Sequence, residues 1–217
     1  MLKSLATLTA VLIALAAQAN PACCGLPKPD PANAECPGPC IKVVGHDGAV
    51  GDPIDQYCVT LRDFNNVPVP NSTVIVDFSN CDIQLCADQK DPGVVLDCVL
   101  QTLRKISDAN GVACFRVIGR HRNMGCAPKP IPCVEVFWEG TFICALYAPV
   151  FDLVNEPGVG LSGTDLSEFL HLFFDCGVYL SAIDYNCTDS IDGDDLSQFL
   201  TAFFAHGSVL GCDSKCP

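Results

Sequence analysis

A repeat of 14 residues near the carboxyl end of the chain severely restricts how it can fold. Residues 161–174 and 191–204 lie 30 positions apart and are identical at 8 of 14 positions. In each copy the apolar residues recur at i, i+3, i+4, i+7 and i+8. This spacing predicts an amphipathic helix with a broad aromatic stripe. Both stripes must be buried, so we expect the two helices to pack on each other; a ligand groove is the alternative.

The stretch before the second helix has the composition of a calcium loop. Such a loop of 12 residues takes oxygen ligands from positions 1, 3, 5, 7, 9 and 12, because a hard cation needs several oxygens around it. Position 7 acts through its carbonyl, and positions 9 and 12 would also serve the start of the exiting helix. We therefore predict a Ca²⁺ site, with an acidic solvated loop as the alternative. The predicted ligands are Asp184, Asn186, Thr188, Ser190, Asp192 and Asp195.

Two residues of this loop depart from the usual pattern, and the first copy departs further. Position 6, which favours Gly, is Asp189, and position 12 is Asp instead of the longer Glu, so a weaker site of the extracellular type is expected. Counting back from Asp165 places Val154 at position 1 of the first copy, whereas a start at Asp152 makes the loop two residues too long. Neither register supplies a full oxygen shell, so we expect this half to be structural or weakly occupied.

Negative charge is concentrated in the same region. Residues 150–217 contain 11 Asp plus Glu and one Lys, a net charge of −10, out of −13 for the whole chain. Such repulsion destabilises a compact unit unless cations neutralise it. The same charge repels phosphate backbones, so no nucleic-acid partner is expected.

The paired Gly-x-Asp-Leu-Ser-x-Phe-Leu blocks of residues 150–217 resemble the type I dockerin module. The resemblance implies a small helical unit of two loop-helix repeats that depends on calcium and binds a cohesin-like partner. In that family the partner contacts lie at loop positions 10 and 11, often at hydroxyl residues. Those positions here are Gly163 and Thr164 in the first copy and Gly193 and Asp194 in the second.

The amino terminus predicts export. Lys3 precedes the apolar run 5–16, and Ala17-Gln18-Ala19 is a small-residue cleavage site, so residues 1–19 read as a signal peptide. No later segment is long and apolar enough to span a bilayer. We therefore expect a secreted protein located outside the cell or at its surface.

All 16 cysteines lie beyond the predicted cleavage site. An even number of cysteines in an exported chain favours disulfides, whose connectivity one sequence cannot give. The alternative is a zinc site, because Cys23, Cys24, Cys36 and Cys40 have spacings close to those of zinc ligands.

Between the signal peptide and the repeat, the composition of the chain changes once, at about residue 40. Residues 20–40 are rich in Pro and Cys, so we expect an extended lead-in without helix or paired strand. Residues 41–149 contain short apolar runs separated by turn signals, which predicts an antiparallel β-sandwich. The predicted strands are 41–44, 56–62, 73–78, 103–106, 112–118, 134–138 and 142–147.

Residues 58–78 and 106–118 are similar to bacterial immunoglobulin-like and carboxypeptidase-regulatory-like modules. Asp108, Gly111, Ala113 and Phe115 occupy the matching places of the recurring pattern. The resemblance implies a spacer, adhesion or display module. The fold class expected for the chain is thus an all-β immunoglobulin-like sandwich, followed by a small α-helical dockerin-like pair and rich in disulfides.

The motifs favour a non-catalytic protein. The sequence has no Gly-x-Ser-x-Gly and no His-Glu-x-x-His motif, and a β module of this size leaves little room for a catalytic domain. We expect a calcium-stabilised tail, residues 150–217, that tethers a disulfide-braced module, residues 41–149, to a cohesin-like partner or to further copies. The alternatives are a structural subunit of an extracellular fibre or surface layer, and an accessory component of a polysaccharide-degrading system.

Overall fold

The computed structural model describes most of the predicted β and helical regions. The described residues are 28–43, 56–87, 89, 91–122, 125–126, 132–154, 156, 161–178, 180–206 and 216. The predicted signal peptide, residues 1–19, and the first part of the lead-in, residues 20–27, lie outside them. Cys23, Cys24 and Cys212 also lie outside the described residues.

Alternation of apolar and polar residues generates the strands. In β2, Val74 and Val76 are fully buried while their neighbours are half-buried, because successive side chains of a strand point to opposite faces. The strands of the described chain are β1 (Tyr57–Thr60), β2 (Thr73–Asp77), β3 (Ile83–Leu85), β4 (Val95–Asp97), β5 (Thr102–Ile106), β6 (Val112–Phe115), β7 (Gly119–His121), β8 (Val134–Trp138) and β9 (Thr141–Leu146).

The strands form one larger sheet and two small ones, and every described strand pair is antiparallel. The order of the five-stranded sheet is β4-β5-β2-β8-β9, and the two-stranded sheets pair β1 with β6 and β3 with β7. Buried residues of all three sheets belong to a single hydrophobic cluster, including Val59, Val76, Leu85 and Phe115. The β unit therefore has one shared core, as the predicted sandwich requires.

Six of the seven predicted strand runs contain a strand of the structure, and the seventh is wrong within the described residues. Instead of a strand at 41–44, Val43 forms isolated bridges to Val117 and Val150. Sequence reasoning also missed β3, β4 and β7, because a strand of three residues is too short to show alternation. Residues of the lead-in likewise form isolated bridges, such as that of Glu35 with Thr60.

The repeat folds into two helices, as predicted. They are α1 (Gly163–Asp175) and α2 (Gly193–His206). The Phe169 and Phe199 rings stack with centroids 4.6 Å apart, so the aromatic stripes pack on each other instead of forming a ligand groove. Phe174 and Phe204 are 69% and 77% exposed at the outer ends of the stripes. Neither helix is long and apolar enough to cross a membrane, and the described chain has no other helix of that kind.

The β unit and the helical repeat are in direct contact. The Val150 N–H donates to the Ala182 carbonyl at 2.9 Å, and the Tyr185 hydroxyl donates to the Val150 carbonyl at 2.9 Å. Lys42 Nζ donates to Gln198 Oε1 at 2.7 Å. Val150 belongs to the core cluster of the β unit and Phe151 to that of the repeat, and Cys216, after both helices, belongs to the β-unit cluster again. The domain boundary between residues 149 and 150 stays a prediction.

Disulfides connect distant parts of the chain. The six described pairs are Cys36–Cys144, Cys40–Cys187, Cys58–Cys114, Cys81–Cys133, Cys98–Cys216 and Cys126–Cys176. Disulfides are therefore confirmed for these cysteines, and the zinc alternative is wrong for Cys36 and Cys40. This density of disulfides is consistent with an extracellular protein. Three of the bonds connect the earlier part of the chain to residues 150–217, namely Cys40–Cys187, Cys98–Cys216 and Cys126–Cys176.

A substitution at Gly111 tests the turn that the sequence motif predicts. Gly111 has φ 76°, and an added Cβ would lie 2.4 Å from the Leu61 carbonyl oxygen and 2.9 Å from the Val69 nitrogen. We expect Gly111→Ala to lower the free energy of unfolding by about 3 kcal/mol, since backbone strain and a backbone clash add. Gly140→Ala is the matched control, because Gly140 has φ 85° but no atom within 4 Å of the added Cβ. Its expected loss is about 1 kcal/mol. Equal losses of the two variants in denaturant titrations would contradict the clash.

Candidate calcium site

Asp195, at position 12 of the predicted calcium loop, ties the two ends of the loop together. Its side chain is fully buried. Oδ1 accepts from the backbone N–H of Tyr185 at 2.7 Å and of Asn186 at 3.3 Å, and Oδ2 accepts from Asp192 N–H at 2.9 Å. The carboxylate thereby joins the entry of the loop to the start of α2. These hydrogen bonds close the loop onto the first turn of α2.

Asp184, at position 1, shapes the turn in the middle of the loop. It is fully buried, and its carboxylate accepts from Thr188 N–H at 3.2 Å and from Asp189 N–H at 3.0 Å. Asp189 has φ 60°, which is the left-handed conformation that position 6 demands. Aspartate reaches this conformation more easily than most residues, so the absence of Gly does not prevent the turn.

The remaining predicted ligands form a row of oxygens along the loop. Thr188 Oγ1 donates to Asn186 Oδ1 at 2.8 Å and lies 2.9 Å from Ser190 Oγ. Ser190 Oγ in turn donates to Asp192 Oδ2 at 3.4 Å. Positions 3, 5, 7 and 9 thus place their oxygens side by side. Ile191 at position 8 packs against the core of the repeat, which anchors the loop.

An oxygen-only donor set suits Ca²⁺ better than a softer metal. The carboxylates are not gathered as a finished cage, however. Within the described chain, Cys126, His171 and Cys176 are the one group of three His, Cys, Asp or Glu side chains whose ligand atoms lie within 4.8 Å of one another. Asp184, Asp192 and Asp195 do not form such a group, so binding would have to draw positions 1, 9 and 12 together. Ser190 would contribute its carbonyl.

Electrostatics at position 12 favour a cation. Burial raises the pKa of Asp195, and the negative charge of Asp184 raises it further. Hydrogen bonds from the backbone of Asp192, Asn186 and Tyr185 act in the opposite direction and stabilise the carboxylate. A cation between the two acids would offset both unfavourable effects, because it compensates lost hydration and screens the repulsion.

The four predicted partner contacts lie at the exposed first turns of the two helices. Gly163 and Thr164 follow the N-cap Ser162 of α1, and Gly193 and Asp194 open α2. Asp192 Oδ1 accepts from Asp194 N–H at 2.8 Å, so position 9 caps α2 as predicted. All four residues are exposed to solvent.

Asp165 plays in the first copy the structural part that Asp195 plays in the second. It is 1% exposed, and Oδ1 accepts from the N–H groups of Leu153 at 2.7 Å and Val154 at 2.8 Å. Oδ2 accepts from Ser162 N–H at 2.7 Å. Val154 therefore donates its backbone N–H to this carboxylate. Its side chain has no oxygen that could bind a cation at position 1. The same register places Gly158 at position 5, and this residue lies outside the described residues.

Asp152 is the unusual acid of the first copy. It is 3% exposed, and its Oδ1 has no hydrogen-bond partner among the described residues. Burial raises its pKa to about 8, the charges of Asp165 and Glu156 add to this effect, and the charge of Arg120 opposes it. Arg120 is a fully buried cation from β7. The sequence places Asp152 only at the start of an overlong loop, because no local pattern indicates that Arg120 lies near the repeat.

Two further neighbours of the loop could not be found from the sequence. Cys187, at position 4, is bonded to Cys40 of the lead-in, which fixes the loop to the β unit. The Tyr185 ring, at position 2, stacks on Phe151 with centroids 4.1 Å apart. The spacing of ligands along the loop does not predict either contact, because the partners, Cys40 and Phe151, lie far from the loop in the sequence.

Replacing Asp152 tests its buried carboxyl group. Because its pKa is about 8 when folded and near 3.8 when unfolded, the folded state holds one more proton between about pH 4 and pH 8. This group therefore makes stability fall as the pH rises through that window. We expect Asp152→Asn to gain at least about 1.4 kcal/mol over the parent at pH 8 relative to pH 4. The exposed Asp175→Asn is the control, and urea titrations in chelator provide the measurement. A gain that is equal at the two pH values would contradict the assignment.

Comparison with known proteins gives no match to this chain. No protein-family model, no curated protein and no solved structure matches it. The resemblances to dockerin and immunoglobulin-like modules therefore depend on the residues of the chain alone. What the loop does has to be inferred from its geometry and charge.

Proposed function

We propose that the protein is a non-catalytic secreted protein whose calcium-stabilised, dockerin-like tail docks an immunoglobulin-like β unit to an extracellular assembly. The observation that carries the proposal is the complete burial of Asp184 and Asp195 at the two ends of a loop whose other predicted ligands all carry oxygen. Two buried carboxylates in a region with a net charge of −10 favour the binding of a compensating cation. Ca²⁺ would supply that charge when bound, held by positions 1, 3, 5, 7, 9 and 12.

The contacts of the tail favour rigid docking over a flexible tether. The loop is bonded to the lead-in through Cys40–Cys187, and α2 contacts the β unit through Lys42 and Gln198. A partner that binds the tail would therefore hold the β unit in a fixed orientation. Calcium would add to the hydrogen bonds by which Asp195 fixes the start of α2, where the predicted partner contacts lie.

The solvent side of α2 is the candidate docking face. A shallow groove along this helix is lined by Gly193, Leu196, Ser197, Leu200, Thr201 and Phe204. Phe204 is 77% exposed, which is a large apolar ring to leave in water. The groove includes Gly193, one of the predicted partner contacts. A cohesin-like partner would offer an apolar patch for the ring and polar groups for Asp194.

The β unit supports the immunoglobulin-like proposal in two ways. Its antiparallel sheets share one core, and the turn Asp108–Gly111 has the geometry that the module's motif encodes. Asp108 Oδ1 accepts from the N–H groups of Asn110 at 2.8 Å and Val112 at 2.9 Å, which closes the turn. Such a unit serves as a spacer or display module, since its motif encodes hairpin geometry and no chemistry.

Calorimetric titration of the full chain with CaCl₂, after removal of metal by chelation, tests the cation site. We expect one binding event and a thermal midpoint that falls when chelator is added. Asp184→Asn and Asp195→Asn each remove one buried carboxylate and should weaken binding at least tenfold, or about 1.4 kcal/mol.

Asp194→Asn is the matched control, because it removes the same charge next to position 12 but no predicted ligand. Its affinity for calcium should equal that of the parent. Absence of binding heat together with an unchanged midpoint in chelator would overturn the proposal. If Asp194→Asn weakened calcium binding as much as the other two variants, the effect would come from the net charge of the region and not from specific ligands, which would contradict the site.

The sheet also offers support for the alternative of a structural subunit. The pairing register aligns one row across the outer face of the five-stranded sheet, formed by Val95, Arg104, Ile75, Phe137 and Phe142. Val95 is 65% and Phe142 49% exposed in this row, and Ile106 beside it is 62% exposed. A sheet face with several exposed apolar side chains can associate with the same face of another copy.

Light scattering over a range of concentrations distinguishes the two functions. A docking protein should remain monomeric, whereas a fibre or surface-layer subunit should form assemblies that Phe142→Lys disrupts. Thr141→Lys is the control, since Thr141 is an exposed neighbour on the same strand whose register places it outside the apolar row. Assemblies that resist Phe142→Lys would exclude this face as the contact.

A further inference from the structure

A cluster of reactive side chains lies at the end of α1, away from the calcium loop. The Sγ atoms of Cys126 and Cys176 and a ring nitrogen of His171 lie within 4.8 Å of one another. The two cysteines form a disulfide that joins the loop after β7 to the C-terminus of α1. His171 Nδ1 is 3.0 Å from Asp175 Oδ2, which orients the ring one helical turn along α1.

This disulfide differs from the others in its access to solvent. Among the disulfide-bonded cysteines that the structure describes, Cys126 alone is exposed, and the remaining ones are half-buried or buried. A thiolate must reach a sulfur along the line of the S–S bond in order to displace its partner. Cys126 is therefore the sulfur that an external thiolate reaches, and Cys176 is the leaving group.

The electrostatics at Cys176 make a proton donor necessary. Cys176 is the C-cap of α1, where the helix dipole disfavours negative charge, and Asp175 is its neighbour. A thiolate that leaves from Cys176 is thus poorly stabilised by its own helix. An imidazolium at His171 would donate a proton to this sulfur and lower the barrier for its departure.

We propose that Cys126–Cys176 is a site of thiol–disulfide exchange, with His171 as the acid and a small or protein-borne thiol as the substrate. The incoming thiolate forms a bond with Cys126 Sγ, the S–S bond breaks, and its electron pair stays on Cys176 Sγ. His171 transfers its proton to that sulfur. A second thiol then attacks the mixed disulfide, which releases Cys126 as a thiol and leaves the two attacking thiols joined as a disulfide.

Opening this bond has a defined structural consequence. It frees the end of α1 from the loop after β7, whereas Cys40–Cys187 still holds the second loop on the β unit. The two copies of the repeat would then differ in their attachment. The exchange does not depend on a cation in the loop, so its test is independent of the calcium titration.

The test exposes the full-length folded protein to glutathione, quenches with an alkylating reagent at intervals, and maps each cysteine by peptide mass spectrometry. Glutathione should appear first on Cys126, with Cys176 alkylated in the same molecules. The half-buried pair Cys58–Cys114 is the internal reference, and its opening should be at least tenfold slower. His171→Gln should slow the opening of Cys126–Cys176 by about three- to tenfold, because the leaving thiolate loses its proton donor.

Thermal unfolding of His171→Gln separates chemistry from structure. Its midpoint should stay near that of the parent, since His171 and Asp175 form an exposed pair. If another disulfide opens first, or if His171→Gln reacts at the parental rate, the proposal is overturned. Slowing of Cys58–Cys114 to the same degree in the variant would also overturn it, because the effect would then be general.

Discussion

Two buried carboxylates, Asp165 and Asp195, hold the helical repeat together. Each accepts hydrogen bonds from the chain that enters its loop and from the residue that caps its helix. Charge-assisted bonds of this kind are stronger than neutral ones, and they fix the first turn of each helix. The aromatic stripes can then meet at Phe169 and Phe199. The helices therefore owe their placement to these two acids as much as to their apolar faces.

The same arrangement buries carboxylates close to one another, which is electrostatically unfavourable, and the two copies compensate for this in different ways. In the second copy, buried Asp184 and Asp195 lie at the ends of a loop of oxygen donors, which is why we propose a cation there. In the first copy, burial and the charge of Asp165 raise the pKa of Asp152 to about 8, so it holds its proton at neutral pH although Arg120 opposes the shift. A repeated sequence thus lies in two electrostatic environments, because Arg120 of β7 acts on Asp152 of the first copy.

Covalent bonds determine how the tail can act. Cys40–Cys187 fixes the loop to the lead-in, and Cys126–Cys176 fixes the end of α1 to the loop after β7. With Cys98–Cys216, three disulfides attach the tail to the rest of the protein, so it cannot swing as a free tether does, and any docking through α2 orients the whole protein. The most exposed of these three bonds is also the one that lies beside a histidine.

Local patterns in the sequence determined the local structure: the 3.6-residue period gave both helices, alternation gave most strands, and Asn, Asp and Gly signals gave the turns at Asn66, Asn71, Gly111 and Gly140. The candidate loop was found for the same reason, since its ligand positions are set by spacing along one short segment. Tertiary structure decided the disulfide partners, the pairing of the three short strands and the burial of Arg120 beside Asp152. These depend on contacts between residues far apart in the chain, and spacing along the sequence carries no information about such contacts.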